Sequence, residues 1–365
     1  MKVEYAPFSY APSDLKSRWL NEITKVIEGG QFIGGNWVSK FEDTWSQFSE
    51  ASNSIGVSNG MDGLTLALRS LNIGKGHFVA VPAHTFIATW NAVMSVGATP
   101  VGIDVDKDGL LDLEAFSRVR QKVDAVIPVH MHGTAVNMAE LSTICSGDKK
   151  VKIIEDASQA HGYISHDGDK LGRYSEIVVY SLYPTKNLGA LGDAGVVTTN
   201  IRDLADRLRS LSNYGQSSES KYVHSELGFN HRLDPIQAAI LSVNCSMLNE
   251  WNQKRIELSN IYISELRDVI EILQLERADS IRHHFCVLTP HRDELQYYLL
   301  SNGIKTEIHY PNVAGLEALK FIGKDSKFPI SEKLAQQTLS LPLSQWHNSN
   351  QIEYVAAKIR AWRVL

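Results

Sequence analysis

Seven short apolar runs, most of them separated by longer amphipathic stretches, constrain this chain more than any other feature. They are Ser54–Val57, Phe78–Val81, Thr99–Ile103, Ala125–Val129, Val151–Glu155, Ile177–Ser181 and Val196–Thr198. Runs this short and this continuously apolar read as strands buried on both faces. Helical patterns lie between several of them, at Gly63–Leu71, Thr85–Val96, Met138–Cys145 and Ile201–Leu211. Strands alternating with helices predict an α/β fold: a large domain with a mostly parallel, seven-stranded sheet flanked by helices. The rhythm changes near the middle. Asp234–Ser259 reads as one long helix with Pro235 at its start, where a missing N–H costs little. Beyond it, His283–Leu288, Asp293–Ser301, Ile304–His309 and Ile330–Leu339 suggest a smaller C-terminal α+β domain. The expected division places residues 1–240, N-terminal segment included, in the large domain and 241–365 in the small one.

Composition narrows the function classes. With 365 residues and 43% hydrophobic content, the chain can bury a large core. A net charge of −5 argues against nucleic acid or an anionic membrane as the main partner. Cys145, Cys245 and Cys286 are odd in number, far apart and without metal spacing, which suits a reducing compartment. The first residues lack the basic start and apolar stretch of a signal peptide. No segment approaches the roughly 20 apolar residues of a membrane span. A soluble cytoplasmic enzyme is the expectation.

Three features carry chemistry. The run Tyr180-Ser-Leu-Tyr-Pro-Thr-Lys186-Asn-Leu-Gly follows an apolar strand and is rich in glycine beyond the lysine, so the chain turns tightly and presents Lys186 at a sheet edge. A lysine held against an apolar wall loses ammonium character and can attack an aldehyde, whereas a solvated loop lysine does neither. The run Lys152-Ile-Ile-Glu-Asp156 is a strand ending in an acid, where open sheets bind ligands. A carboxylate there can pair with a protonated pyridine nitrogen, or be no more than an acidic turn. Finally, Val57-Ser-Asn-Gly60-Met61-Asp62-Gly63 joins a strand to an amphipathic helix. Such a helix N-terminus offers free N–H groups to a phosphate, and Gly60 lets the backbone come close. The three together point further than any one of them.

Other patterns point elsewhere. Gly56-Val-Ser58-Asn-Gly60 satisfies the nucleophile-elbow spacing of a serine hydrolase, yet only one plausible strand precedes Ser58. Asp104-Val-Asp106-Lys-Asp108-Gly109 opens like a calcium loop, but its twelfth position is Ala115. His130, His132, His283 and His284 lack the partners of a zinc site, and no metal is expected.

At these residues the sequence resembles the DegT–StrS sugar aminotransferases, a branch of the fold-type-I pyridoxal-phosphate enzymes. The resemblance runs through Phe41-Glu, Val57-Ser-Asn-Gly-Met-Asp, Val81-Pro-Ala-His-Thr-Phe-Ile-Ala-Thr, Glu155-Asp-Ala-Ser-Gln-Ala-His-Gly and Tyr183-Pro-Thr-Lys-Asn-Leu-Gly. It continues in Asn213-Tyr-Gly, Lys221-Tyr, Asn230-His-Arg-Leu-Asp-Pro, Gly303-Ile-Lys-Thr and His309-Tyr-Pro. The resemblance implies pyridoxal 5'-phosphate as cofactor, held by Lys186 as a Schiff base, with Lys186 also moving the proton between cofactor and substrate carbon. It implies that Asp156 pairs with the pyridinium nitrogen, that Gln159 lies near the ring and that Phe86 stacks on it. Gly60, Met61, Asp62 and Ser181 are implied at the phosphate. Asn230 is implied to reach the neighbouring subunit's phosphate, making a homodimer with shared active sites. Three positions depart from the family pattern: Met61 for the usual threonine, His231 for serine and Ser212 for arginine.

The activity so implied moves an amino group from glutamate to a nucleotide-linked keto sugar. The wording around Lys186 resembles members acting at C-3 of a dTDP-linked 3-keto-6-deoxyhexose. Amination at C-4 of a dTDP- or UDP-linked 4-keto sugar is the alternative. A hydrolase through Ser58, or a regulatory relative that binds the cofactor only as a ligand, are the rivals from other classes.

Overall fold

The structure, a computed structural model, describes residues 1–217, 222–311 and 327–362. Lys221 of the family pattern therefore lies outside the described residues. Two helices, α1 (Ser13–Gly29) and α2 (Asn36–Ser49), precede the first strand, β1 (Asn53–Val57). Then come α3 (Gly60–Ser70), β2 (Phe78–Pro82), α4 (Ile87–Ser95), β3 (Thr99–Ile103), α5 (Leu113–Val119), β4 (Ala125–Val126), α6 (Met138–Cys145) and β5 (Lys152–Asp156). The large unit closes with β6 (Ile177–Ser181), β7 (Gly195–Thr199) and α7 (Arg202–Ser212). Its seven strands run in the order β1-β7-β6-β5-β4-β2-β3. The sheet is mostly parallel, as expected; β7 alone runs against its neighbours β1 and β6.

Helices cover both faces, and β6 shows why its sequence is continuously apolar. Ile177 and Val179 enter the core beneath α3, α4 and α7, while Val178 and Tyr180 enter the opposite core beneath α2 and α8 (Pro235–Cys245). Every residue of such a strand loses water, and each large side chain contributes about 1.5–3 kcal/mol. Strand β4 is shorter than the apolar run Ala125–Val129, because Pro128 lacks the N–H a central ladder needs. Pairing resumes only as a single bridge between Val129 and Asp156.

The long helix expected over Asp234–Ser259 is two helices: α8 ends at Cys245 and α9 spans Leu248–Leu266. At the joint one polar side chain reaches out of the helix and another folds back onto its last turn. Asn244 accepts from Trp19 Nε1 at 2.7 Å and donates to the Gly189 carbonyl at 2.8 Å, while Ser246 Oγ donates to the Val243 carbonyl at 2.7 Å. The break lets α8 pack on α1 and α2 while α9 packs on α12 (Ser349–Ala361) in the C-terminal unit.

That unit holds β8 (Glu271–Ile272), β9 (Phe285–Leu288), α10 (Arg292–Ser301), α11 (Pro329–Gln337) and β10 (Thr338–Leu341), with an antiparallel sheet ordered β10-β9-β8. The run Ile304–His309 forms no strand of its own; Ile304 bridges to Val3 and Glu307 to Ser340. The N-terminal segment, expected with the large unit, thus lies along the C-terminal one: Val3 donates to the Gly303 carbonyl at 2.9 Å and joins the core around Leu258 and Phe285. Among the described residues, no helix is long and apolar enough to cross a membrane.

Candidate active site

Parallel strands β5 and β6 end side by side, so Asp156 and Ser181 emerge at the same sheet edge. The N-terminus of α3 packs over this edge. A Cβ on Gly60 would stand 2.8 Å from Ser181 Cβ and 3.2 Å from Ser181 Cα, so only glycine permits the approach. Asn59 caps the helix, its Oδ1 accepting from the Asp62 amide at 2.9 Å, and its carbonyl takes the Gly63 amide at 3.1 Å. The amides of Gly60 and Met61, in the first turn, have no intrahelical acceptor and leave a partial positive charge at this end.

These elements enclose a cavity of about 500 Å³. Its lining brings together Gly60, Met61, Phe86, Asp156, Gln159, Ser181 and Lys186 from the sequence reading. Lys186 follows a tight turn in which its amide donates to the Tyr183 carbonyl at 2.9 Å. Enclosure strips water from its amine and lowers its pKa to about 8, with the Asp156 carboxylate partly opposing the shift. Asp156 is buried and held from two sides: Thr89 Oγ1 donates to Oδ2 at 2.9 Å and the Ser158 amide to Oδ1 at 3.2 Å. Gln159 accepts from the His132 amide at 2.7 Å and donates to the Tyr310 hydroxyl at 3.0 Å, which fixes Tyr310 beside the cavity. Phe86 stands 5.3 Å from the Tyr310 ring, tilted by 45°.

Two expected residues lie apart from this lining. Asp62 is not part of the lining, and its carboxylate gathers hydrogen bonds from Ser58 Oγ and Asn59 Nδ2, with His231 Nδ1 at 3.1 Å. Burial pushes its pKa up, but the bonds from His231, Ser58 and Asn59 outweigh that, and the net shift is down. His231, one of the departures, is therefore tied to the helix end through Asp62. Asn230 is exposed, and its side chain makes no hydrogen bond among the described residues of its own chain. Ser212, another departure, is buried, with Oγ donating to the Arg209 carbonyl at 3.0 Å.

The sequence reading gave no role to Thr89, Ser158, Tyr183, His309 or Tyr310, all of which line the cavity. Thr89 could have been found: it lies three residues after Phe86 at the start of a helix, hence on the same face. The other patterns resolve into structural parts. Ser58 Oγ donates to a carboxylate rather than to an imidazole, which leaves a hydrolase without its base. Asp104 accepts from the Ile330 and Ser331 amides at 3.0 and 2.9 Å and so caps α11, and Asp106 closes its own turn through Asp108 and Leu110. His130 Nε2 meets Glu155 at 2.8 Å inside the core. Among the described residues no cluster could hold a metal ion.

The chain matches known proteins along nearly its whole length. The family model for the DegT/DnrJ/EryC1/StrS aminotransferase family matches residues 13–360. A dTDP-3-amino-3,4,6-trideoxy-alpha-D-glucose transaminase of Streptomyces venezuelae is 36% identical over 99% of this chain and 96% of its own length. A dTDP-3-amino-3,6-dideoxy-alpha-D-galactopyranose transaminase of Aneurinibacillus thermoaerophilus is 36% identical over 93% of this chain and 94% of its own. The crystal structure of S. venezuelae DesV in complex with a ketimine intermediate superposes with a TM-score of 0.94 at 36% identity, covering 100% of this chain and 99% of that one. The chain belongs to the DegT/DnrJ/EryC1/StrS aminotransferase family.

Proposed function

We propose that this chain is a pyridoxal-phosphate-dependent aminotransferase passing an amino group from glutamate to C-3 of a dTDP-linked 3-keto-6-deoxyhexose. The observation that carries the reading is one cavity shared by the desolvated Lys186 amine, the doubly held Asp156 carboxylate and the open amides of α3. The residues fit the cofactor: the glycine cradle at Gly60 leaves room against Ser181 that a Cβ would fill, and the helix end favours an anion there. Relatives named as transaminases of dTDP-3-amino sugars support the choice of acceptor and of carbon.

In this reading Gly60 and Met61 offer amides, and Ser181 its hydroxyl, to the phosphate. Asp156 would hold the protonated ring nitrogen, and Phe86 would cover the ring. Gln159 supports the site by holding Tyr310 in place. When bound, the cofactor supplies an electron sink for the carbon that loses its proton. Lys186 would hold the cofactor covalently at rest, and its amine, once free, would carry the proton between the substrate carbon and the cofactor's reactive carbon. Asn230, exposed and with no side-chain hydrogen bond among the described residues, serves the phosphate of a second copy, so the active unit is a homodimer. Three buried, unpaired cysteines suit a reducing compartment, and we place the enzyme in the cytoplasm.

The test is incubation of the purified protein with glutamate and a panel of keto-sugar nucleotides, followed by NMR of the product. Nitrogen at C-3 of a dTDP sugar is the expected result. Nitrogen at C-4 would move the assignment to the other carbon, and no transfer from glutamate to any acceptor of the panel would sink the proposal.

A further inference from the structure

A second cavity, of about 400 Å³, lies behind the first and shares Tyr183, Thr185 and His309 with it. Its other walls come from the N-terminal segment, α9 and the C-terminal unit, among them Tyr5, Arg255 and His284. We infer that this cavity receives the distal carboxylate of the amino donor, with Arg255 as its anchor and the Tyr5 hydroxyl as a second donor. The inference rests on the aminotransferase reading and names how that site selects a dicarboxylic amino acid.

Arg255 carries the argument. It is 2% exposed and makes no ion pair among the described residues. Its Nε meets Gln345 Oε1 at 3.2 Å, and its Nη1 donates to the His283 and Leu343 carbonyls at 3.1 and 3.0 Å. These are neutral acceptors, and Nη2 has no protein partner among the described residues. Nη2 is also not among the sealed, unpartnered atoms, so it borders open space rather than packed protein. Burial lowers the guanidinium to about 10, which still leaves it charged at neutral pH. A buried cation without a counter-charge is costly, and an arriving carboxylate removes that cost while taking the vacant N–H pair.

Tyr5 adds a second donor. Its hydroxyl has no hydrogen-bond partner among the described residues, and it feels the charge of Arg255. Burial pushes this phenol up, so at neutral pH it keeps its proton and can donate. The Tyr5 ring stands 6.5 Å from His284, which stacks on His309 at 3.8 Å, so the anchor site and the first cavity meet along one aromatic wall. The acids of this cavity, Glu4 and Glu307, lie towards its surface, and Glu4 is already paired with Lys305 at 2.7 Å. A diphosphate asks for several cations or a helix end, and the floor offers a single guanidinium. A carboxylate a few bonds from the reacting carbon matches both the charge and the shared wall.

The experiment measures binding of glutarate, a dicarboxylate without the amine, to the holoenzyme by calorimetry, together with kcat/KM for glutamate and for alanine. Arg255→Gln should lower the preference for glutamate over alanine by about 100-fold and weaken glutarate similarly, as expected when one partner of a buried charged pair is lost. Arg255 also ties three segments together, so Tyr5→Phe is the second variant. It removes one hydroxyl and should weaken glutarate about 10-fold, raise KM for glutamate and leave the affinity for dTDP alone. Unchanged glutarate affinity in Tyr5→Phe, or equal losses for glutamate and alanine in a folded Arg255→Gln, would overturn the inference. Weaker dTDP binding with glutarate unaffected would also overturn it and give the cavity to the sugar nucleotide. If wild-type holoenzyme transfers no amino group at all, the aminotransferase reading fails, while the glutarate titration still decides what this cavity binds.

Discussion

Thr89 Oγ1 donates to Asp156 Oδ2 across 2.9 Å, which fixes the carboxylate at the end of β5 in one orientation. Thr89→Val keeps the shape and removes that bond, leaving the Ser158 amide as the one donor to the acid among the described residues. Turnover should fall about 10-fold, roughly 1.4 kcal/mol of barrier. Asp156→Asn should retain the fold and fall about 1000-fold, because a neutral amide cannot keep the ring nitrogen protonated. Steady-state kinetics beside thermal melts separates the two from misfolding. Full activity in Asp156→Asn would refute the role.

Gly60 offers a sharper geometric test. The Cβ of Gly60→Ala would meet Ser181 Cα at 3.2 Å and Cβ at 2.8 Å, and backbone on β6 cannot swing aside. The start of α3 must lift away, at a cost of about 1–3 kcal/mol in strain. Cofactor affinity, read by absorbance titration, should drop by roughly 5- to 150-fold on the same energy scale. Inorganic phosphate should protect the variant against heat less than it protects the wild type. Unaltered cofactor affinity would mean that the helix end does not hold the phosphate.

Strand β6 was legible because burial on two faces writes itself as a continuous apolar run, and it coincides with Ile177–Ser181. Residue pattern could not reveal what depends on distant partners. The stop between α8 and α9 follows from Asn244 reaching Trp19 and Gly189, contacts no local window contains. Val3 belongs to the C-terminal core for the same reason. In the site, Lys186 and Asp156 stood out because a lysine just ahead of a glycine-rich stretch and an acid ending a strand break their local pattern. Thr89 and Arg255 break none: one is an ordinary early helix residue, the other a basic residue in a polar helix. Only the fold shows that each faces something buried.

Lys186 gives a prediction about pH. Its amine is lowered to about 8 by loss of water, against an unperturbed value of 10.5. At pH 7 its neutral fraction should exceed that of a free lysine by roughly 300-fold. Capture of cofactor by the cofactor-free protein should therefore rise with pH through about 8 and then level off. The linked effect on stability has the same sign: between about 8 and 10.5 the unfolded chain still holds a proton that the folded chain has lost, so this site adds stability as pH rises. Borohydride reduction after capture should place the label on Lys186 in peptide maps. A capture rate still climbing beyond pH 10 would contradict the desolvated amine.

Assembly can be tested through Asn230. If it serves the neighbour's phosphate, each site takes Lys186 from one chain and Asn230 from the other, and a two-fold dimer holds two such composite sites. Consider Lys186→Ala mixed with Asn230→Glu, whose carboxylate would repel the phosphate. Each parent dimer should be nearly inactive. In a mixed dimer one site collects both defects, while the other draws wild-type Lys186 and wild-type Asn230 from opposite chains. Equal amounts re-associating at random make about half the dimers mixed, so about a quarter of wild-type activity should return. The competing account has Asn230 capping α8 within its own chain. There the N-cap residue is Asp234, and no Asn230 side-chain hydrogen bond is formed among the described residues, which leaves little for a cap to lose. Asn230→Glu should accordingly melt within a few degrees of wild type. Verified subunit exchange with no recovered activity would show that both residues act within one chain.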